Sequence, residues 1–434
     1  MDMHANAKAT RNGSTGHLHR YMQLALLVMA AGAIYPVLYL RQVYQGSMMA
    51  ALGLDDTHLG YLYSILGVAF MVSYLPSGWL ADRVAPRLLI TLSLLGTGLL
   101  ALWYATLPGF PVLLLIFSGF GVTTGLTFWA ALLKRVGWLA GENEQGRFFG
   151  VLDGGRGLVE ALLATVAIWM FARLTGEFGA DHQAQAFQWV IRLYAITCLV
   201  LGAIMAVLRD PQRPQNDGAP AVDEAPPGNL RRDLMQLARM PELWLVTAIV
   251  FCGYHFFWAT YSFSAYLTEG ELGLSATMAG VITTIKLWMR PIGGIGGGWL
   301  GDRFGNLRVL TWAMALAALG MLGLIFLPAL HVTLQVAMLA VLIGLVTYAI
   351  RGLYWAILDQ CHIPARITGL AIGIISVVGY SPDVLLPLIN GWLTQTFPGM
   401  LGYQIYFGYV LTVGSFGVLA ALTLKKRIDR RNRV

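Results

Sequence analysis

The chain has 434 residues, of which 57% are hydrophobic and 12% charged, with a formal net charge of +7. A soluble domain carries about twice that charged share, ~25%. A water-soluble globule or an aqueous enzyme with a large core is therefore excluded, because too little polar surface exists to cover it. The three cysteines, Cys198, Cys252 and Cys361, are scattered, with neither metal-ligand spacing nor a disulfide framework, and no cofactor is expected.

A membrane-crossing helix needs about 20 mostly apolar residues. Twelve such runs follow in chain order: roughly 21–45, 58–80, 88–106, 111–133, 148–171, 188–208, 243–267, 277–299, 308–328, 332–357, 368–394 and 402–424. Residues 1–20 are polar and weakly basic, show no cleavable-signal pattern and read as a tail. The connections are short except for 209–241, where RDPQRPQNDGAPAVDEAPPGN is rich in Pro, Asp and Gly. That composition predicts a disordered linker. The expected organisation is a tail (1–20), a six-helix bundle (21–208), the linker (209–241), a second six-helix bundle (242–424) and a basic tail (425–434). The fold class is thus an all-α membrane protein with 12 transmembrane helices in two bundles.

Lys and Arg set the sidedness. The odd-numbered connections carry one basic residue, Arg173, whereas the even-numbered connections and both tails carry twenty-two, six of them in KKRIDRRNR. Both termini are expected in the cytoplasm of a cell whose inner or plasma membrane holds the chain. A nucleic-acid role for the basic tail finds no domain to present it.

The halves repeat. GWLADRVAPR at Gly78–Arg87 reappears as GWLGDRFGNLR at Gly298–Arg308; FWAALLKR at Phe128–Arg135 echoes YWAILDQC at Tyr354–Cys361; GRFFG at Gly146–Gly150 faces RITG at Arg366–Gly369. Two parallel repeats with a site between them follow the logic of many secondary transporters.

The paired Gly-x-Leu-x-Asp-Arg phrases, twelve runs and central linker resemble the major facilitator superfamily, over about residues 20–425. The first copy departs from the family pattern at Ala85-Pro86, the second at Asn306. The resemblance implies that Gly78, Asp82, Arg83, Gly298, Asp302 and Arg303 form a gate motif that latches the outward-facing state and breaks when the cytoplasmic side opens. Simple topology signalling is the plainer alternative. The glycines at 293, 294, 296, 297 and 298 suit close helix packing, and no strand or Gly-Lys-Ser/Thr accompanies them to make a phosphate loop.

A charge in hydrocarbon costs at least ~2.5–3.5 kcal/mol and should face a cavity or a partner. Six embedded bases (Arg41, Arg156, Arg192, Lys286, Arg290, Arg351) stand against three embedded acids (Asp153, Glu160, Asp383). That excess favours an anionic ligand and repels a cationic drug. Arg41 lies in YLRQVYQGS, near where anion-transporting branches of the family resembled carry an Arg, though the Asp of their Tyr-x-Asp-Arg phrase is lacking; snorkelling to the surface is its alternative. Asp153, Arg156 and Glu160 share one helical face at i, i+3 and i+7, either as a self-neutralised cluster or as a coupling site. Glu160 is the first candidate proton carrier, then Asp153, then Asp383. Lys286 and Arg351 are the anion ligands expected from the second half, with Tyr354 and Trp355 one turn beyond Arg351. Arg290 is closer to the gate, and Arg192 snorkels. In FCGYHFFWATYSFSAYL, Tyr254, Trp258 and Tyr261 share a face suited to a sugar-like body; lone His255 reads as structural.

The function expected is proton-driven uptake of a small organic anion (a sugar acid, sugar phosphate or sugar sulfonate) by alternating access, in a chain complete enough to work as a monomer. Its partners are the solute, protons and lipid. Multidrug efflux is disfavoured because run 5, GVLDGGRGLVEALLATVA, lacks the proline of the efflux motif; a nitrate porter because run 2 has no Arg or Lys. A transporter-like sensor lacks an added signalling domain.

Overall fold

The computed structural model describes residues 20–139, 145–178, 182–208, 230–270, 272–354, 356–361 and 368–431. Where the hydrocarbon supplies no hydrogen-bond partners, the backbone satisfies itself as helix, and nine helices among the described residues are long and apolar enough to cross a membrane. The other three crossing segments are runs 1, 2 and 8. Run 1 is broken, and runs 2 and 8 carry polar groups along their length.

The first run is two helices, α1 (Arg20–Ile34) and α2 (Arg41–Leu52), separated by turns around Pro36. Proline lacks the N–H that a continuous helix needs and clashes with the preceding turn. Next come α3 (Asp56–Arg83), capped by the Asp55 carboxylate accepting from His58 N at 2.7 Å, and α4 (Pro86–Tyr104). Run 4 comprises α5 (Phe110–Gly121), a π-turn at Val122–Leu126 and α6 (Trp129–Leu139). Then α7 (Gln145–Phe178) and α8 (Gln183–Val207) complete the first bundle.

In the second half, α10 (Pro241–Ala259) tightens into a 3-10 turn at Thr260–Ser262 before α11 (Phe263–Tyr266). It is followed by α12 (Ala276–Phe304), α13 (Asn306–Phe326) and α14 (Thr333–Leu353). Run 11 is split by Tyr380–Ser381, ahead of Pro382, into α15 (Thr368–Gly379) and α16 (Pro382–Thr396), and α17 (Met400–Arg431) ends the described chain. Runs 1 and 7 are thus both interrupted at matching places in the repeat, which turns their side chains toward the space between the bundles.

Three expectations are corrected. The linker is not wholly irregular: LRRDLMQLA folds as α9 (Leu230–Ala238), an amphipathic helix anchored by buried Leu237 and by the Trp244 Nε1 donating to the Ala238 carbonyl at 2.9 Å. Residues 209–229 lie outside the described residues. The last run does not stop at 424, because α17 carries KKRIDRR as helix and Arg427 Nε pairs with Glu242 of α10 at 3.2 Å. Of the glycine cluster, Gly293 and Gly297, joined by Gly301, face α14, whereas Gly294, Gly296 and Gly298 have open space beside them.

Both Gly-Trp-Leu-x-Asp-Arg phrases form a helix end and its turn. In the first, Val84–Ala85 joins α3 to α4, and Pro86 occupies the first helical turn, where its missing N–H costs nothing. In the second, Gly305 at φ 92° joins α12 to α13. Lys134 of the repeated FWAALLKR phrase donates to the Ala81 carbonyl at 2.8 Å, covering an orphan acceptor at the end of α3.

Large apolar side chains such as Trp169, Ile295, Trp312 and Phe416 point outward, as a lipid-facing surface requires. The bundles meet where α2 packs on α11 and α12, α3 on α16, and α7 on α12. The α3–α16 seam is nearly main chain to main chain: a Cβ on Gly60 would sit 2.6 Å from the Pro387 carbonyl oxygen, and one on Gly391 2.3 Å from that of Asp56.

The glycine stripe on α12 gives a paired test. A Cβ on Gly293 would lie 2.4 Å from the Leu345 carbonyl oxygen, while Gly294 has nothing within 4 Å. Gly293→Val is expected to destabilise the detergent-purified protein by about 1–3 kcal/mol, and Gly294→Val by far less, read as the difference between their thermal unfolding curves.

Candidate functional site

Between the bundles lies a cavity of about 170 Å³. The first bundle contributes Tyr35 and Tyr39 from the break in run 1, Gln42 from α2, Phe70 from α3, Trp129 from α6, and Arg156 and Glu160 from α7. The second contributes Tyr254, Phe257 and Tyr261 from run 7, Arg290 from α12, Tyr348 and Arg351 from α14, and Tyr380 and Asp383 from run 11. A chamber of about 310 Å³ continues from it toward the end bearing the Asp-Arg turns, lined by Asp153, Gly294, Gly352 and Tyr354 among others. The Asp153 side chain is 77% exposed, which marks that side as the wet one.

The central contact is an ion pair across the bundles: Arg290 Nη1 donates to Glu160 Oε2. Both side chains are largely buried, at 14% and 17% exposure. The Arg290 stem passes over Gly157, where a Cβ would lie 3.0 Å from its Cδ, so the glycine one turn before Glu160 makes room for the approach. Of the two acids on its own helix that could pair with Arg156, Glu160 is thus taken by Arg290 of the other bundle. Arg156 reaches only Asp153, at 3.8 Å, and otherwise faces the rings of Trp129 and Tyr35 at 5.1 and 5.7 Å.

Arg351 is held against aromatic rings. Its guanidinium lies 4.2 Å from the Phe257 ring centroid and 5.8 Å from that of Tyr254. It has no hydrogen-bond or ion-pair partner among the described residues. Asp383 is held differently: its Oδ1 accepts from Tyr254 OH at 2.8 Å and from Trp258 Nε1 at 2.6 Å. Both donors are neutral, so this carboxylate has hydrogen bonds without an ion pair. The sequence-predicted aromatic face is therefore divided. Tyr254 and Tyr261 line the cavity, while buried Trp258 serves Asp383 from behind.

Two predicted anion ligands lie elsewhere. Arg41 is buried in the α2 seam, where its Nη2 donates to Gln45 Oε1 at 3.3 Å and its guanidinium lies 5.1 Å from the Tyr63 ring. Lys286 is buried behind run 7, donating from Nζ to the Thr260 carbonyl at 3.1 Å and with its stem over Gly344. The opened backbone of the 3-10 turn supplies that acceptor, so Lys286 stabilises the break. Arg192 stacks on Trp189 at 4.9 Å, and His255 is buried between the Phe251 carbonyl and Tyr409 OH. Within the cavity, three arginines face two carboxylates, an excess of one rather than the three counted from sequence.

Tyr354 lines the chamber with its hydroxyl 3.2 Å from that of Tyr380, whereas Trp355 lies outside the described residues. Gly78 and Asp82 fall within α3, and their surroundings lie outside the described residues. At the second turn, Asp302 and Arg303 are exposed; Arg303 lies over Trp299 and Phe304, and Asp302 makes no hydrogen bond or ion pair among the described residues. No cluster of His, Cys, Asp or Glu suited to a metal occurs among the described residues.

Several cavity residues escaped the sequence reading though their signals were present. Tyr348 precedes Arg351 by three residues and so shares its face. Tyr35 precedes Tyr39 by four. The repeat itself aligns Trp129 with Trp355.

Crossing helices arranged as two repeated bundles around a charged cavity define a multi-pass membrane protein built to move a solute. The Major Facilitator Superfamily signature matches residues 22–387, and the chain belongs to that family. It is similar to the Inner membrane protein YqcE of Escherichia coli K12, with 31% identity over 396 residues, covering 89% of this chain and 90% of that protein. It is also similar to the D-galactonate transporter of Escherichia coli O6:H1, with 22% identity over 435 residues and coverage of 94% and 97%. Among solved structures, a bacterial homologue of the human lysosomal transporter Spinster, inward-facing and unoccupied, superposes with a TM-score of 0.73 at 16% identity, covering 94% of this chain and 97% of that one. The protein is a transporter and not an enzyme.

The Glu160–Arg290 pair is open to a double-mutant cycle. Removing either partner leaves a poorly compensated charge. The double variant Glu160→Ala/Arg290→Ala is therefore expected to lose less stability than the sum of the singles, by about 1–3 kcal/mol. Additive losses in thermal unfolding would show that the contact carries no coupling.

Proposed function

We propose that this transporter carries out proton-coupled uptake of a small organic anion by alternating access, with both termini in the cytoplasm. The observation that carries the reading is the pair Arg156 and Arg351. One lies on each bundle; both face one cavity; Arg351 has no carboxylate partner among the described residues, and Arg156 has only a water-exposed one at 3.8 Å. An anion bridging them completes the neutralisation and gives each guanidinium the charge-assisted hydrogen bonds it otherwise lacks. Arg290 is occupied by Glu160 and is a weaker attraction while that pair stands.

The chemistry of the walls narrows the solute. Tyrosines 35, 39, 254, 261, 348 and 380 and Gln42 place hydroxyl and amide groups around the space, which suits a polyhydroxylated body. Similarity to a D-galactonate transporter supports a sugar acid; a sugar phosphate or sulfonate offers the same anionic handle.

For proton coupling, Glu160 and Asp383 are the two cavity carboxylates, whereas Asp153 lies in the chamber beyond them with its side chain largely exposed. Glu160 is taken up by its ion pair with Arg290 in this conformation. Asp383, bonded only by neutral donors, is the group that accepts a proton without breaking an ion pair, and we assign it the carrier role in this state. Protonating it raises the positive excess facing the anion, so proton and anion favour one another. Closure on the α2 side and exposure of Asp153 on the other correspond to an inward-open state under this topology.

The test is uptake of labelled sugar acids into proteoliposomes with and without an inward-directed proton gradient. Arg156→Ala and Arg351→Ala are each expected to weaken binding at least about tenfold, the order of one charge-assisted contact. Asp383→Asn is expected to retain solute counterflow while losing its response to the gradient. Gradient-independent uptake by the parent protein, or full binding by both arginine variants, would overturn the reading.

A further inference from the structure

The closed seam holds a buried polar cluster that the anion cavity does not use. At its centre is Gln45 of α2, wholly buried. Its amide is engaged on every side: Oε1 accepts from Arg41 Nη2 at 3.3 Å, and Nε2 donates to Asp56 Oδ1 at 3.3 Å and to the Tyr403 hydroxyl at 3.4 Å. Arg41 and Asp56 belong to the first bundle, and Tyr403 lies on α17 in the second. A second strand of the same tie runs from the Ser264 hydroxyl to the Arg41 carbonyl at 3.2 Å.

Arg41 gives this arrangement its tension. It is 2% exposed, its Nε has no hydrogen-bond partner, and no carboxylate lies within ion-pair distance among the described residues. A cation so placed recovers solvation whenever the seam parts. Gln45 relays its charge to Asp56 and, through Tyr403, fixes both to the opposite bundle. The glycine contacts of α3 with α16 supply close fit beside it, and the Thr394 hydroxyl of α16 meets Asp56 there as well.

We propose that Gln45 is the positioning residue that holds this seam shut during the transport cycle, and that the seam opens when its amide releases Tyr403. The inference depends neither on the cargo nor on proton coupling. It also gives Arg41 a role distinct from the ligand role its sequence context suggests.

The test reads which face of the membrane reaches the cavity. The reporter is Gln42→Cys, at a cavity-lining position one turn before Gln45; the native cysteines are buried. Labelling by a membrane-impermeant maleimide is measured from both faces, in intact cells and in inverted vesicles. Adding Gln45→Leu is expected to shift the ratio of labelling about fivefold toward the face that the seam closes, the worth of one net hydrogen bond. Adding Tyr403→Phe, which removes one hydroxyl and little else, is expected to shift it the same way by about two- to threefold. Both variants are checked for monodispersity. An unchanged face ratio in Tyr403→Phe overturns the proposal even if Gln45→Leu fails to fold, and an unchanged ratio in a folded Gln45→Leu does so alone. Anion-binding defects leave this readout untouched, so failure here is distinguishable from failure of the anion reading.

Discussion

A guanidinium in hydrocarbon is costly unless it faces a cavity or a partner, and this constraint organises the molecule. Arg156, Arg290 and Arg351 sit on three different helices, and each finds its surroundings only where the two bundles face one another. One of them is neutralised across the gap by Glu160, which ties α7 to α12 at the level of the cavity. The others are softened by aromatic faces: Trp129 and Tyr35 for Arg156, Phe257 and Tyr254 for Arg351. An aromatic face attracts a cation without supplying a hydrogen-bond acceptor. It therefore lowers the cost of holding the charge while leaving its donors free. That combination suits the transient anion proposed above, because full neutralisation by protein groups would leave nothing for it.

The same constraint explains the breaks. The interruptions near Pro36 and at Thr260–Ser262 lie beside the cavity. An opened turn exposes carbonyls, and irregular backbone inside a membrane is tolerated only where protein or water satisfies it. Lys286 answers the second break directly by donating to the Thr260 carbonyl. A residue that reads from sequence as a solute ligand thus serves the backbone from outside the cavity. Arg41 shows the same lesson at the seam.

The architecture was legible because it depends on properties that add along the chain. Apolar run length and the doubled Gly-Trp-Leu-x-Asp-Arg phrase each report on many residues at once. The sequence also placed Arg156, Glu160, Arg351, Asp383, Tyr254 and Tyr261 among the functional candidates, since charge in hydrocarbon is conspicuous. It could not say which way each side chain turns. Arg41 and Lys286 are as conspicuous as Arg351, yet rotation about their helices sends them to a seam and to a broken turn. Pairings across the bundles, above all Glu160 with Arg290, link positions 130 residues apart, and no local spacing encodes them. The helical stretch at Leu230–Ala238 was hidden by the Pro- and Asp-rich composition just before it.

The glycine seam between α3 and α16 has a consequence for selectivity. At Gly60, Gly67 and Gly391 the chains approach with almost no side chain between them, so this face has no cushion that can compress to suit a larger solute. Its stopping point is set by the radius of the peptide backbone itself. In the proposed cycle, solutes of different bulk would meet the same hard stop, so that size would be judged by a ruler made of main chain and charge by the arginines below it.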